Sequence, residues 1–341
     1  MNRRKQAVWT FSAALAHLQE PEPALSPGAL GALSGPGRKE LVAFAKAWVE
    51  LPVERRRRAA QLMVELAEQN IELDYNVLFR HLLTDEDSHV RARGIEGLWE
   101  DEDPGLVKPM VAFLRSDPSA VVRAAAADAL GRFVLLAEYG RLPKISLALI
   151  GEALLATTRS ALEDLTVRCR AVEALAYWSE DVVRDVIVTA YADDAPEMRA
   201  SAVAAMGRTA DHYWRKLAAG ELDSPDGRMR FEAARTAGEL ENRTVAPRLI
   251  ALLDDPDREV QGAAITALGQ IGGKLAKEAL TQASESDDEV LSALADEALQ
   301  ELDFANNSEL LLFDIQDEGD EEMDVEEEEW EEEEEEFEEE L

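Results

Sequence analysis

A short phrase recurs along this chain, and its clearest copy is DPSAVVRAAAADALG at Asp117–Gly131. Asp117 has the side chain of a helix N-cap, and Pro118 suits the first helical position, where its missing N–H costs nothing. Val122, Ala126, Ala129 and Leu130 fall at i, i+4, i+7 and i+8, one apolar stripe on a short helix. Gly131 can adopt positive φ and end that helix. Such a helix cannot bury its stripe alone, so the phrase implies neighbours built the same way.

Those neighbours are present. The residue after the apolar position of each copy is Arg91, Arg123, Arg168, Arg199, Arg230, Gln261 and then Leu291, at intervals of 32, 45, 31, 31, 31 and 30 residues. Each unit predicts a capped helix and a second amphipathic helix, such as Leu106–Leu114, Thr244–Leu253 or Leu275–Gln282. The 45-residue interval is met by longer helices: Val134–Tyr139 carries one as far as Gly140, and Ile145–Leu162 makes a long partner. The array therefore spans residues 71–302.

The flanks read differently. Residues 1–70 form an N-terminal helical cap. Val8, Phe11, Leu15 and Leu18 have helical spacing, PEPALSPGALGALSGPG is a connector with about one turn at Pro27–Leu33, and helices follow at Arg38–Leu51 and Pro52–Gln69. The opening Arg3-Arg4-Lys5 and apolar run have the outline of a signal sequence, but Thr10, Ser12 and His17 dilute it, and a short cytoplasmic capping helix is expected. In the last copy Asp296-Glu297 fill positions that are small elsewhere, as a terminal repeat requires. Residues 303–316 are expected to cap the array, with SELLLFDIQ at Ser308–Gln316 as strand or turn, and residues 317–341 to be a disordered acidic tail.

Charge narrows the partners. The net charge is −36, and 19 acidic residues lie within residues 317–341, which leaves −17 on the remainder. A surface of that sign opposes nucleic-acid phosphates and anionic membranes and favours a basic protein. No apolar run is long enough to span a bilayer. The single Cys169 excludes an intrachain disulfide and fits a reducing compartment.

DPSAVVRAAAADALG, DAPEMRASAVAAMG and DDPDREVQGAAITALGQIGG resemble HEAT repeats of the short bacterial type that takes its name from phycobilisome lyases. The resemblance covers residues 71–302 and, weakly, the helices from Arg38. It implies an all-α, right-handed α-solenoid of about seven helical hairpins, with the capped helices lining the concave side. It also implies that the repeated arginines, Arg91, Arg123, Arg168, Arg199 and Arg230, are structural, their guanidinium forks bonding loop carbonyls and aspartates such as Asp117.

No catalytic, cofactor or metal residues are assigned. His17, His81, His89 and His212 lack metal-ligand spacing, and the His-Glu pairs by which the HEAT-type enzyme deoxyhypusine hydroxylase holds two irons are absent. Gly269–Lys274 lacks the spacing and following Ser or Thr of a phosphate loop, and the acidic loops at 84–87, 100–103 and 254–257 lack an EF-hand glycine. Arg55–Arg58 reads as a solvated basic face. The expected activity is non-enzymatic: a scaffold or adaptor holding a partner protein on its concave face, monomeric by default, anchored by Trp99, Trp178 and Trp214 with Arg93 and Arg170. In the tail, Trp330, Phe337 and Leu341 interrupt the glutamates and are candidates for recognising a basic partner or masking the groove. Two alternatives stand: a lyase or chaperone for a bilin or other tetrapyrrole, using Trp99, Phe133, Tyr177, Trp178, Tyr213 and Trp214, and an acidic decoy for basic nucleic-acid-binding proteins.

Overall fold

The computed structural model describes residues 9–20 and 24–316, and the expectations for the N-terminal basic run and for residues 317–341 lie outside these. The described residues form helices, turns and loops, with no strand among them. Four helices open the chain: α1 (Phe11–Gln19), α2 (Pro27–Gly31), α3 (Arg38–Trp48) and α4 (Val53–Gln69). Seven hairpins follow. They are α5 (Asn76–Leu82) with α6 (Ser88–Gly97), α7 (Val107–Ser116) with α8 (Ala120–Glu138), α9 (Lys144–Arg159) with α10 (Leu165–Leu175), and α11 (Asp181–Tyr191) with α12 (Pro196–Arg208). The last three are α13 (Arg215–Gly220) with α14 (Gly227–Glu239), α15 (Ala246–Ala251) with α16 (Arg258–Ile271), and α17 (Gly273–Ser284) with α18 (Glu289–Gln316).

The even-numbered helices from α4 to α18 each pack along most of their length against the next, whereas successive odd-numbered helices touch sparsely. Close stacking on one side and splaying on the other bends the stack into an α-solenoid with the even-numbered helices on the short, concave side. Small residues permit this approach. A Cβ on Gly131 would sit 3.1 Å from the Cα of Ala174 on α10, and one on Gly238 would sit 2.9 Å from the Cα of Ala267 on α16. Gly131 therefore does not end its helix as its sequence position predicts. It lies within α8, which runs on to Glu138, and its missing side chain is what α10 packs against.

The expected starts and ends need two further corrections. Asp117 is not the N-cap of α8: that helix begins at Ala120 with Ser119 before it, and Pro118 precedes the helix. The Asp117 carboxylate instead accepts from the N–H of Ser119 at 2.9 Å, fixing the turn between the helices. The run at 308–316 is neither strand nor turn but the continuation of α18 to Gln316. A continuous helix lets the terminal hairpin keep every backbone bond without a partner strand.

The buried core runs the length of the array in two clusters that meet at α10, where Trp178 and Val186 pack against both. After the concave-side helix, the turn into the next hairpin takes positive φ at Ala210 (53°), Glu241 (51°) and Gly272 (62°), eleven residues past Arg199, Arg230 and Gln261. Only the third of these is glycine, so the first two hold a conformation that a Cβ disfavours.

Candidate functional site

Along one edge of the solenoid the repeated arginines form a ladder of clips. The guanidinium of Arg91 donates to both carboxylate oxygens of Asp117 in the next loop (2.9 and 3.0 Å) and to the carbonyl of Asp85 in its own loop (2.9 Å). Arg123 does the same with Glu163 and the Asp117 carbonyl, and Arg230 with Asp255 (2.6 and 2.8 Å) and the Ser224 carbonyl. Arg168 reaches Asp193 more loosely at 3.4 Å. Arg199 bonds only the carbonyls of Asp193 and Asp194 in its own loop, because the next loop offers Ser224 at the position of Asp117, Asp193 and Asp255. Gln261 keeps the bond to its own loop carbonyl, Asp255, at 2.7 Å. Each clip aspartate thus fixes its own turn and receives the preceding repeat, while a separate residue two positions on, such as Asp87 or Asp257, caps the helix. Hydrogen bonding to Arg230 holds the Asp255 carboxyl below its ordinary range, and Arg57 does likewise for Asp87.

This ladder absorbs the basic run at Arg55–Arg58, which is not the solvated face its sequence predicts. Arg56 is buried and donates to Asp85, alongside the indole N–H of Trp48 at 2.7 Å, so it is the first rung. Arg57 clasps Asp87 with two bonds, and Arg55 bonds the carbonyls of His17 and Leu18 on α1. Only Arg58 of the four is exposed. The arginines that hold the repeats together are occupied with loop acceptors and offer no phosphate-binding row.

The candidate anchors separate into two places. Arg93 and Arg170 occupy equivalent positions on α6 and α10, two residues past the clip arginine, and each pairs with the carboxylate three residues on, Glu96 and Glu173. Between them, Ala120, Val121, Ala124 and Ala125 of α8 floor a shallow concave cavity of about 530 Å³ that Glu96, Asp128, Asp164 and Arg170 border. The tryptophans lie instead near the loop edge opposite the clips. Trp99 is 47 % exposed at the end of α6, and Trp178 is half-buried against Gly151 of α9, where the absent Cβ makes room for its ring. Trp214 is 1 % exposed and belongs to the core, so it is not a surface anchor. Truncating it would cost roughly 3–5 kcal/mol through the cavity left behind. Trp330, Phe337 and Leu341 lie outside the described residues.

Two features were not read from the sequence. The first is a charged cluster on the concave side of α10, α12 and α14. Buried Glu173 accepts from Arg170 (2.7 Å) and the Ser201 hydroxyl (2.7 Å) and pairs with Arg208 (3.3 Å). Next to it Arg235 lies 3.3 Å from both Glu232 and Glu239, yet one oxygen of each carboxylate is buried without a hydrogen bond. Desolvation consequently raises the Glu232 and Glu239 carboxyls above their ordinary range. The signal was present: positions two, five and nine past each clip arginine share one helix face, and on α14 all three are charged.

The second is Tyr139, at a cavity of about 450 Å³ on the loop edge where α8, α10 and α12 end; there it joins Tyr177, Trp178 and Trp214, three of the aromatics named above for a tetrapyrrole. The cavity sits at the junction of the two core clusters. Elsewhere, Cys169 is buried and its thiol is raised by that burial. Among the described residues no group of three His, Cys, Asp or Glu is placed to hold a metal, and no helix is long and apolar enough to cross a membrane.

Residues 75–142 and 214–300 match the family model of HEAT repeats. No curated protein sequence matches this chain. Among solved structures it is similar to an engineered protein (20 % identity, 86 % of this chain and 88 % of that one, TM-score 0.38). It is also similar to the complex of CpcE and CpcF of the phycocyanin lyase from Nostoc (18 % identity, 66 % and 86 % covered, TM-score 0.48). Human deoxyhypusine hydroxylase is a third (19 % identity, 76 % and 95 % covered, TM-score 0.34). The segment between the two matched stretches carries the long α9 and the loosest rung, yet it repeats the same hairpin and the same arginine position. With that family match on either side of it and one hairpin architecture throughout, the chain carries HEAT repeats at residues 75–142 and 214–300.

Proposed function

We propose that this protein is a non-enzymatic adaptor that holds a partner protein on its concave face. The observation that supports the reading is the floor of α8: three alanines and the half-exposed Val121 form an apolar strip between the ion pairs Arg93–Glu96 and Arg170–Glu173. An apolar centre bordered by charge is the usual anatomy of a protein interface, and a stacked array presents it on a pre-formed backbone. Asp128 and Asp164 on the border favour a partner segment carrying Lys or Arg. In this reading the glutamate-rich tail either recruits that basic partner or covers the groove in its absence.

Placing a large charged side chain on the floor tests it. Val121→Arg and Ala125→Arg should each weaken capture of the partners retained by the unaltered chain at least tenfold, with helical circular dichroism unchanged. Undiminished capture by both would remove the concave groove as the site. Truncation after Gln316, assayed at two salt concentrations, separates the tail's contribution: salt-sensitive capture that survives truncation belongs to the body. The tetrapyrrole alternative is less favoured by the aromatic edge cavity: its mouth carries Glu138, Glu180 and Asp181, and its two cations, Arg184 and Arg208, already pair with Asp211 and Glu173.

A further inference from the structure

We infer that the aromatic edge cavity is a second contact point, which receives one lysine or arginine side chain presented by a protein partner. It goes beyond the concave groove and does not depend on it. Tyr139, Tyr177 and Trp178 line it, with Trp214 almost fully buried behind them, and an exposed ring face carries the negative end of the aromatic quadrupole, which attracts a cation and repels an anion.

The charges around the cavity point the same way once those already paired are set aside. Arg184 is committed to Asp211 at 2.9 Å and lies over the Tyr213 ring at 4.5 Å. Arg208 shares Glu173 with Arg170 and lies over Tyr177 at 5.8 Å, so it adds positive charge that the mouth's acids outnumber. What remains at the mouth is Glu138, Glu180 and Asp181, all exposed and with no ion pair among the described residues. Three uncompensated carboxylates in front of aromatic walls form a cation site, and one long basic side chain can satisfy both, its stem on the rings and its head among the acids.

The walls are also held in advance. Trp178 is seated against Gly151, and Trp214 is in the core with Tyr213 edge-on at 4.9 Å. Tyr139 is 73 % exposed at the rim, an aromatic ring left in water beside a formed cavity. Little ordering is therefore needed on binding.

The test uses the full chain with 15N-labelled indoles. The pentapeptide Gly-Gly-Lys-Gly-Gly, blocked at both ends, should shift the Trp178 and Trp214 indole signals saturably, and its arginine counterpart should do the same. The norleucine counterpart, which keeps the stem and lacks the charge, should bind at least fivefold more weakly. Tyr139→Ala and Asp181→Asn, both at exposed positions, should each weaken the lysine peptide at least threefold without moving the thermal midpoint. Equal binding of the norleucine peptide, no saturable shift at these two indoles, or unchanged affinity in both variants would each overturn the assignment. Choline binding more tightly than the lysine peptide would overturn its assignment to a protein side chain.

Discussion

Arg230 and Asp255 face one another across a repeat boundary with two parallel hydrogen bonds of 2.6 and 2.8 Å, and the Asp255 side chain is 4 % exposed. The pair holds the α13–α14 hairpin to the α15–α16 hairpin at the clip edge, and Asp255 also closes its own turn. Asp255→Ala therefore removes two functions and strands a half-buried guanidinium. The expected loss is about 3 kcal/mol, read as a lower urea midpoint. Arg230→Met combined with Asp255→Ala should cost less than the sum of the single changes, because no charge is then left unpaired.

Acid should act on the molecule in two opposite senses. The clip carboxyls of Asp87 and Asp255 are lowered in the fold, so the stability they give is present above the unfolded-state value of about 4 and is lost as pH falls through their folded values. Glu232 and Glu239 are raised, so they favour the fold while protonated and that contribution is lost as pH rises through their folded values. Around them lie Arg208, Arg228 and Arg235, which temper the effect without removing the burial that causes it, while Glu173 adds to it at Glu232. Glu239→Gln should make the protein more stable at pH 7 than the unaltered chain and should flatten its pH profile above the unfolded-state value of about 4. A steeper profile would contradict the sign.

Gly238 tests the close approach of the concave-side helices. Helix propensity alone favours alanine over glycine by about 1 kcal/mol, yet the new methyl would meet the α16 backbone at Ala267. Overpacking of that kind costs roughly 1–3 kcal/mol, so Gly238→Ala should lower the thermal midpoint. Gly220, with nothing near its Cβ direction, is the control: Gly220→Ala should hold or raise it.

Ala210 tests the turn. Its φ of 53° costs an L-residue about 1–2 kcal/mol, of which the extra freedom of an unfolded glycine cancels about 0.4–1. Ala210→Gly should stabilise the chain by up to about 1 kcal/mol, measurable by thermal melting, and Gly272→Ala should destabilise it.

The fold was legible because a solenoid writes its plan many times over: the capped-helix phrase, recurring at 30–32 residues with one interval of 45, fixes hairpin count and register. Single residues were less legible, because one copy of a residue has two possible neighbours. Asp117 has the side chain of a cap and lies at a helix boundary, and only the position of Arg91 one repeat earlier reveals it as an acceptor. Gly131 has the conformational freedom to stop a helix, but α10 uses its lack of volume. Trp178 and Trp214 both sit near helix ends in sequence and both reach the edge cavity, and packing alone leaves the first half-exposed and closes the second into the core. The arginine run at 55–58 has one local partner, Glu54 for Arg57; its other acceptors come from α1 and from a loop some 30 residues on.

The rungs of the clip edge are unequal, and in a stack that matters more than their sum. At the boundary between the α11–α12 and α13–α14 hairpins, Arg199 finds no acid across the gap, and a buried hydroxyl bond from Thr236 to the Val203 carbonyl at 2.8 Å bridges the concave-side helices. A linear array parts at its weakest joint, because each unit leans only on its neighbours. At this joint α12 and α14 pack closely, so the one clip arginine that lacks an acid across the gap is compensated from the concave side by helix packing and the Thr236 bond.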